Sequence, residues 1–133
     1  MGMGGELRGL AEGMGADFFG VADLRGAAAR LAGPGWIGRS CLLVTPEAGP
    51  RVRWGTVLTD ADLPCGPGPI ADRCGKCEAC VKACPAGAFT GRAFREEEPV
   101  EVRYDRPKCR AYQQGVAVCG LCIAVCPHGR KGA

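Results

Sequence analysis

The residues in this chain with chemistry to perform are its cysteines, ten in 133 positions. Eight of them fall into a pattern. Cys74, Cys77, Cys80 and Cys84 follow the spacing C-x2-C-x2-C-x3-C, with Pro85 next. Cys119, Cys122 and Cys126 repeat the latter part as C-x2-C-x3-C, with Pro127 next, and Cys109 stands upstream as the candidate for the missing member. Runs of this kind hold iron–sulfur clusters through thiolates. Together they offer the eight ligands that two [4Fe–4S] clusters need.

The spacing has a geometric reason. A cubane presents its irons at the corners of a tetrahedron, so its ligands must converge from several directions. Three cysteines two residues apart wrap one face of the cube on a tight turn. The fourth lies beyond three intervening residues and, in runs of this type, ligates the other cluster. The proline that follows has no N–H and a fixed φ, which turns the chain away. The expected sets are therefore crossed. Cluster A takes Cys74, Cys77, Cys80 and Cys126; cluster B takes Cys84, Cys109, Cys119 and Cys122.

Zinc is the competing use of the same thiols, since paired C-x2-C units also build four-cysteine zinc sites. The third cysteine of the first run and the two Cys-Pro endings belong instead to the cluster pattern. Cys41 reads as a core thiol in an apolar strand, and Cys65, in a Gly/Pro loop, as a spare thiol or a side chain beside a cluster. His128, the one histidine, reads as a surface side chain near a cluster rather than as a ligand. No catalytic residue is assigned.

Composition bounds the elements that must position these ligands. Leu, Ile, Val and Phe number 26, just under a fifth of the chain, and glycine reaches 22. That is a lean core, and metal binding would have to supply folding energy. No basic region followed by an apolar run opens the chain, and no stretch approaches the roughly 18 apolar residues of a membrane span. Reduced thiols on metal in the cytoplasm are expected. The formal charge of +3 falls to roughly −1 once two cluster cores, each carrying four thiolates, are added. The net charge thus gives no support for nucleic-acid binding, although tRNA as a partner is left open.

The expected fold is α+β. A ferredoxin-like two-cluster module over residues 65–133 follows a residual α/β unit and β-hairpin over residues 1–64. In the first part, a helix over 6–15, a strand over 18–22 and a second helix over 24–31 form a small β/α unit. Gly33-Pro34-Gly35 is a hinge or turn. Strands over 41–45 and 52–59, joined by 46–50, form the hairpin. Gly55, bare within the second strand, marks a bulge or a close approach. In the second part Glu96-Glu97-Glu98 is a solvated acidic turn and residues 100–104 a short strand. Asp105 caps a helix carrying Cys109, with Pro107 in its first turn.

Gly35-Trp36-Ile37-Gly38-Arg39, Leu42-Leu43-Val44-Thr45-Pro46, the stretch Arg51-Val52-Arg53-Trp54-Gly55-Thr56 and the two cysteine motifs resemble the C-terminal part of epoxyqueuosine reductase and its iron–sulfur relatives. The reductive dehalogenases share the arrangement. Residues 20–24 are similar to the same family's N-terminus. The resemblance implies a two-cluster module beside a corrinoid-binding part, with Arg51, Arg53 and Gly55 as residues that would face a corrinoid. In the family a long segment lies between the strand like residues 20–24 and the motif like residues 35–39, and it carries the proton donor. Here only residues 25–34 span that gap, and no position matches the catalytic acid. The expected function is electron transfer through two [4Fe–4S] clusters to a partner redox protein. The alternatives are a shortened corrinoid oxidoreductase, or a component of one, and an iron–sulfur protein whose clusters are structural or regulatory.

Overall fold

A computed structural model describes residues 32–55, 62–116 and 119–130. The expected N-terminal β/α unit and the latter half of the expected strand over 52–59 lie outside these residues. The chain divides into two compact units: Met1–Gly35 with Arg53–Ile70, and Trp36–Val52 with Ala71–Ala133.

The described part of the first unit has no regular strand or helix beyond the turn that opens it. Proline and glycine recur along 62–70, where each proline removes a backbone donor. Gly33, at φ 81°, lies so close to the Gly68 carbonyl that an added Cβ would meet its oxygen at 2.8 Å. The turn expected at Gly33 is present. Cys65 is exposed.

In the second unit, β1 (Trp36–Ile37) pairs antiparallel with β2 (Leu43–Val44), Trp36 opposite Val44 and Ile37 opposite Leu43. The Gly38 N–H donates to the Leu42 carbonyl at 2.9 Å and the Cys41 N–H to the Gly38 carbonyl at 3.0 Å. Cys41 takes φ 58° at this turn, so it is not the strand residue expected. Thr45 and Gly49 then exchange backbone hydrogen bonds, both at 2.9 Å.

The hairpin therefore differs from the expected pairing of 41–45 with 52–59. The chain closes on itself at Gly49, and Pro50 has no N–H with which to extend a ladder. The Arg51 N–H goes back to the Ala48 carbonyl at 3.2 Å. Residues 52–55 run without strand structure, and among the described residues, its chain neighbours aside, no atom lies within 4 Å of a Cβ built on Gly55.

Among the described residues three α-helices follow: α1 (Ala79–Lys82), α2 (Arg106–Gln114) and α3 (Leu121–Ala124). α2 starts as expected. The Asp105 carboxylate accepts from the Lys108 N–H at 3.0 Å, and Pro107 occupies the first turn, where no donor is needed. Residues 100–104 form a 3-10 turn over Val100–Val102 rather than a strand. Only Tyr104 makes a strand-like bridge, to Phe89, and the two rings stack at 5.4 Å. The acidic segment is a turn, but Glu98 is half-buried and accepts from Arg92 at 2.8 Å.

The core gathers Trp36, Leu43, Val44, Thr45, Ala88 and Arg103. A small two-stranded sheet beside short helices is α+β in the coarse sense. Among the described residues no helix is long and apolar enough to cross a membrane.

Candidate metal centre

The first cysteine run begins on a turn. The Cys74 N–H donates to the Asp72 carboxylate at 2.7 Å, and the Cys77 N–H to the Cys74 carbonyl at 2.9 Å. Between them Gly75 takes φ 53°, a left-handed conformation that glycine adopts without steric cost. Cys80 falls on α1, and Cys84 follows directly on Ala83, the residue that caps that helix's C-terminus. The second run repeats the design, with Cys119 before the helix, Cys122 on α3 and Cys126 just past Val125. Cys109 sits on α2. All eight thiols are free and half-buried.

α1 and α3 pack against each other, which brings the end of each run toward the start of the other. Burial, then the charge of Cys74, push the Cys80 thiol up to about 11, and Cys126 is near enough to add to the effect. Burial also raises the Cys122 thiol, followed by the charge of Cys119 and, more weakly, of Cys84. The side chain of Tyr104 meets that of Cys109, the largest cause of a hydroxyl pushed up to about 12, and it also senses Cys122. Cys74, Cys80 and Cys126 are thus electrostatic neighbours. So are Cys84, Cys119 and Cys122, with Cys109 reached through Tyr104. Cys77 is tied to this geometry by its backbone bond to Cys74.

A shell of non-cysteine residues surrounds the thiols. The buried Trp36 donates its Nε1–H to Cys74 Sγ at 3.4 Å, and the Ala88 N–H approaches Cys84 Sγ at 3.4 Å. Arg39 donates to the Gly75 and Gly91 carbonyls. Arg51 donates to the His128 carbonyl at 2.8 Å and to those of Ala124 and Cys126. Through these three bonds its guanidinium ties the hairpin turn to the chain around Cys126. Gly49 and Gly129 lie where this hairpin turn meets the chain after Cys126, each without room for a Cβ against the other segment's backbone. The His128 ring stands edge-on to Trp36 at 4.9 Å.

Sequence reasoning assigned no cluster-supporting role to Trp36, Arg39 or Arg51. One signal for Trp36 was available, because a buried indole N–H has to find an acceptor.

These residues fit iron–sulfur chemistry. The donor set is entirely sulfur, the thiols form no disulfide, and N–H groups already point at two of them. Among the described residues no three His, Cys, Asp or Glu side chains group closely enough for a single metal ion. A cubane, by contrast, spreads its ligands over four irons.

The class follows from this half of the chain. Residues 73–130 match the 4Fe–4S dicluster domain, and two [4Fe–4S] clusters are the cofactors of this protein. Over roughly three quarters of its length the chain is similar to epoxyqueuosine reductases and to a reductive dehalogenase. It is 35% identical to the epoxyqueuosine reductase of Listeria monocytogenes over 121 residues, covering 78% of this chain and 29% of that protein. To the epoxyqueuosine reductase of Gloeobacter violaceus it is 36% identical over 121 residues, covering 77% and 35%. To the tetrachloroethene reductive dehalogenase of Sulfurospirillum multivorans it is 33% identical over 109 residues, covering 72% and 22%. The chain thus spans about a third or less of these relatives. No solved structure matches it.

Proposed function

We propose that this protein passes electrons through two [4Fe–4S] clusters to a partner redox enzyme. In this reading Cys74, Cys77, Cys80 and Cys126 hold cluster A, and Cys84, Cys109, Cys119 and Cys122 hold cluster B. The observation that supports the assignment is the packing of α1 against α3, with Cys80 near Cys126 and Cys122 near Cys84. Each cluster, when bound, supplies a one-electron couple. The protein's own part is to fix the thiolates, exclude water from them and direct N–H groups at sulfur. Because each run contributes ligands to both clusters, the two centres are held close and in fixed relation, as transfer between them requires.

The test is electron paramagnetic resonance, with iron and sulfide content, on anaerobically purified and reduced protein. Cys74→Ala is expected to damage one cluster and Cys84→Ala the other, although both lie in one run. If both substitutions remove the same cluster, the crossed assignment is wrong.

A second reading is favoured by the relatives named epoxyqueuosine reductase and tetrachloroethene reductive dehalogenase. In it the chain is a component of a corrinoid oxidoreductase, its pocket completed by other polypeptide, with tRNA then open as a partner. Added cob(II)alamin separates the two. A cobalt spectrum altered by the protein supports the enzyme component, and an unchanged one supports the electron carrier.

A further inference from the structure

Trp36 is 2% exposed, and its one polar atom is directed at Cys74 Sγ, 3.4 Å away. The ring is held from several sides. β1 sets its backbone opposite Val44. His128 meets its edge at 4.9 Å, and the Arg73 guanidinium lies 5.9 Å from the ring centroid. An indole fixed in this way cannot turn its N–H elsewhere, and burial keeps water from taking its place. We infer that Trp36 is a positioning residue that sets the reduction potential of the cluster bound by Cys74, by donating a hydrogen bond to that ligand's sulfur. The inference rests on the cluster assignment proposed above and deepens it.

The direction follows from charge. Reduction adds an electron whose density spreads onto the thiolate sulfurs. An N–H directed at sulfur stabilises the more negative, reduced state more than the oxidised one, which raises the potential. In a buried, low-dielectric setting the effect is stronger than it would be in water. Removing the donor lowers the potential of that cluster. The other cluster, which does not use Cys74, keeps its own.

The experiment is a potentiometric titration of the holo-protein followed by electron paramagnetic resonance. Trp36 is replaced by benzothienylalanine, an isosteric analogue in which sulfur replaces the ring N–H. Trp54, the other tryptophan and an exposed one, is first changed to Phe so that only position 36 carries the analogue. Trp36→Phe is run beside it. The expected result is that one midpoint shifts to lower potential in both variants while the second midpoint stays where it was. Unchanged midpoints at full cluster content would overturn the role of Trp36 and leave the cluster assignment standing. An equal shift of both midpoints would also overturn it, since that marks a general loosening. A parent protein without two clusters would overturn the assignment, and this inference with it.

Discussion

Asp105 and Cys41 show how much a single side chain can be made to report. The backbone bond from Lys108 holds the Asp105 carboxyl below its usual value, and the Lys108 side chain adds to the effect. A carboxylate whose folded pKa is depressed contributes stability above its unfolded pKa, near 3.9. That contribution is lost as the pH falls through the folded value. The N-terminal turn of α2 is therefore expected to loosen only below about pH 4, read as faster amide exchange over residues 106–110. Asp105→Ala should show the loosened turn at neutral pH, and Asp105→Asn should largely prevent it, because Asn also caps.

Cys41 is half-buried, and burial raises its thiol while Arg103 partly opposes the shift. Cys65 is exposed. Alkylation of holo-protein at pH 8 should therefore label Cys65 well before Cys41, with the eight ligand thiols protected. Mass spectrometry reads the order, and equal labelling of the two would contradict it.

At the scale of elements, the contact between the Thr45–Gly49 turn and the chain after Cys126 is made backbone to backbone. A Cβ on Gly129 would collide with Ala48 and Gly49, and one on Gly49 with the His128 carbonyl; both glycines also hold positive φ. Gly75 has positive φ too, but among the described residues, its chain neighbours aside, nothing lies within 4 Å of its absent Cβ. Gly75→Ala should cost only the backbone term, about 1–2 kcal/mol. Gly129→Ala should cost more, because the two segments must separate, and it should speed cluster loss. Thermal melting and the bleaching rate of the holo-protein check both. Equal penalties would mean that the contact is not held in solution.

The same elements show what was legible beforehand. The α2 cap could be read because Asp105, Pro107 and Lys108 lie within one turn, where capping is local physics. The cysteine runs could be read because cluster geometry imposes a short spacing. The hairpin could not. β1 and β2 are each two residues long, too short to show a period, whereas the alternation read in the sequence from residue 52 onward does not make a strand of the described residues 52–55. The roles of Trp36 and Arg51 were hidden for another reason. Their acceptors lie 38 and more than 70 positions away.

For the whole molecule, the shortage of apolar side chains becomes a prediction about metal. Among the described residues the buried hydrophobic core is Trp36, Leu43, Val44 and Ala88, and α1 and α3 are four residues each. Helices of that length do not stand alone in water. Stripping the iron with a chelator under mild oxidant should therefore abolish most amide protection over residues 71–130, and reconstitution with iron and sulfide should restore it. An apo-protein retaining native protection would show that the polypeptide suffices.

The grip of Arg51 on the carbonyls of Ala124, Cys126 and His128 also matters for the order in which the chain is made. The His128 carbonyl comes 77 positions after the guanidinium that holds it. At roughly 5–20 residues per second, a ribosome takes about 4–15 s to cover that distance. Throughout that interval the hairpin lacks its counterpart, and the thiols of residues 74–84 emerge before the segment that packs against them. The nascent chain thus carries an unfinished thiol cluster into the cell, open to oxygen and to stray thiophilic metals. Iron delivery timed to the release of the last turn would spare it both.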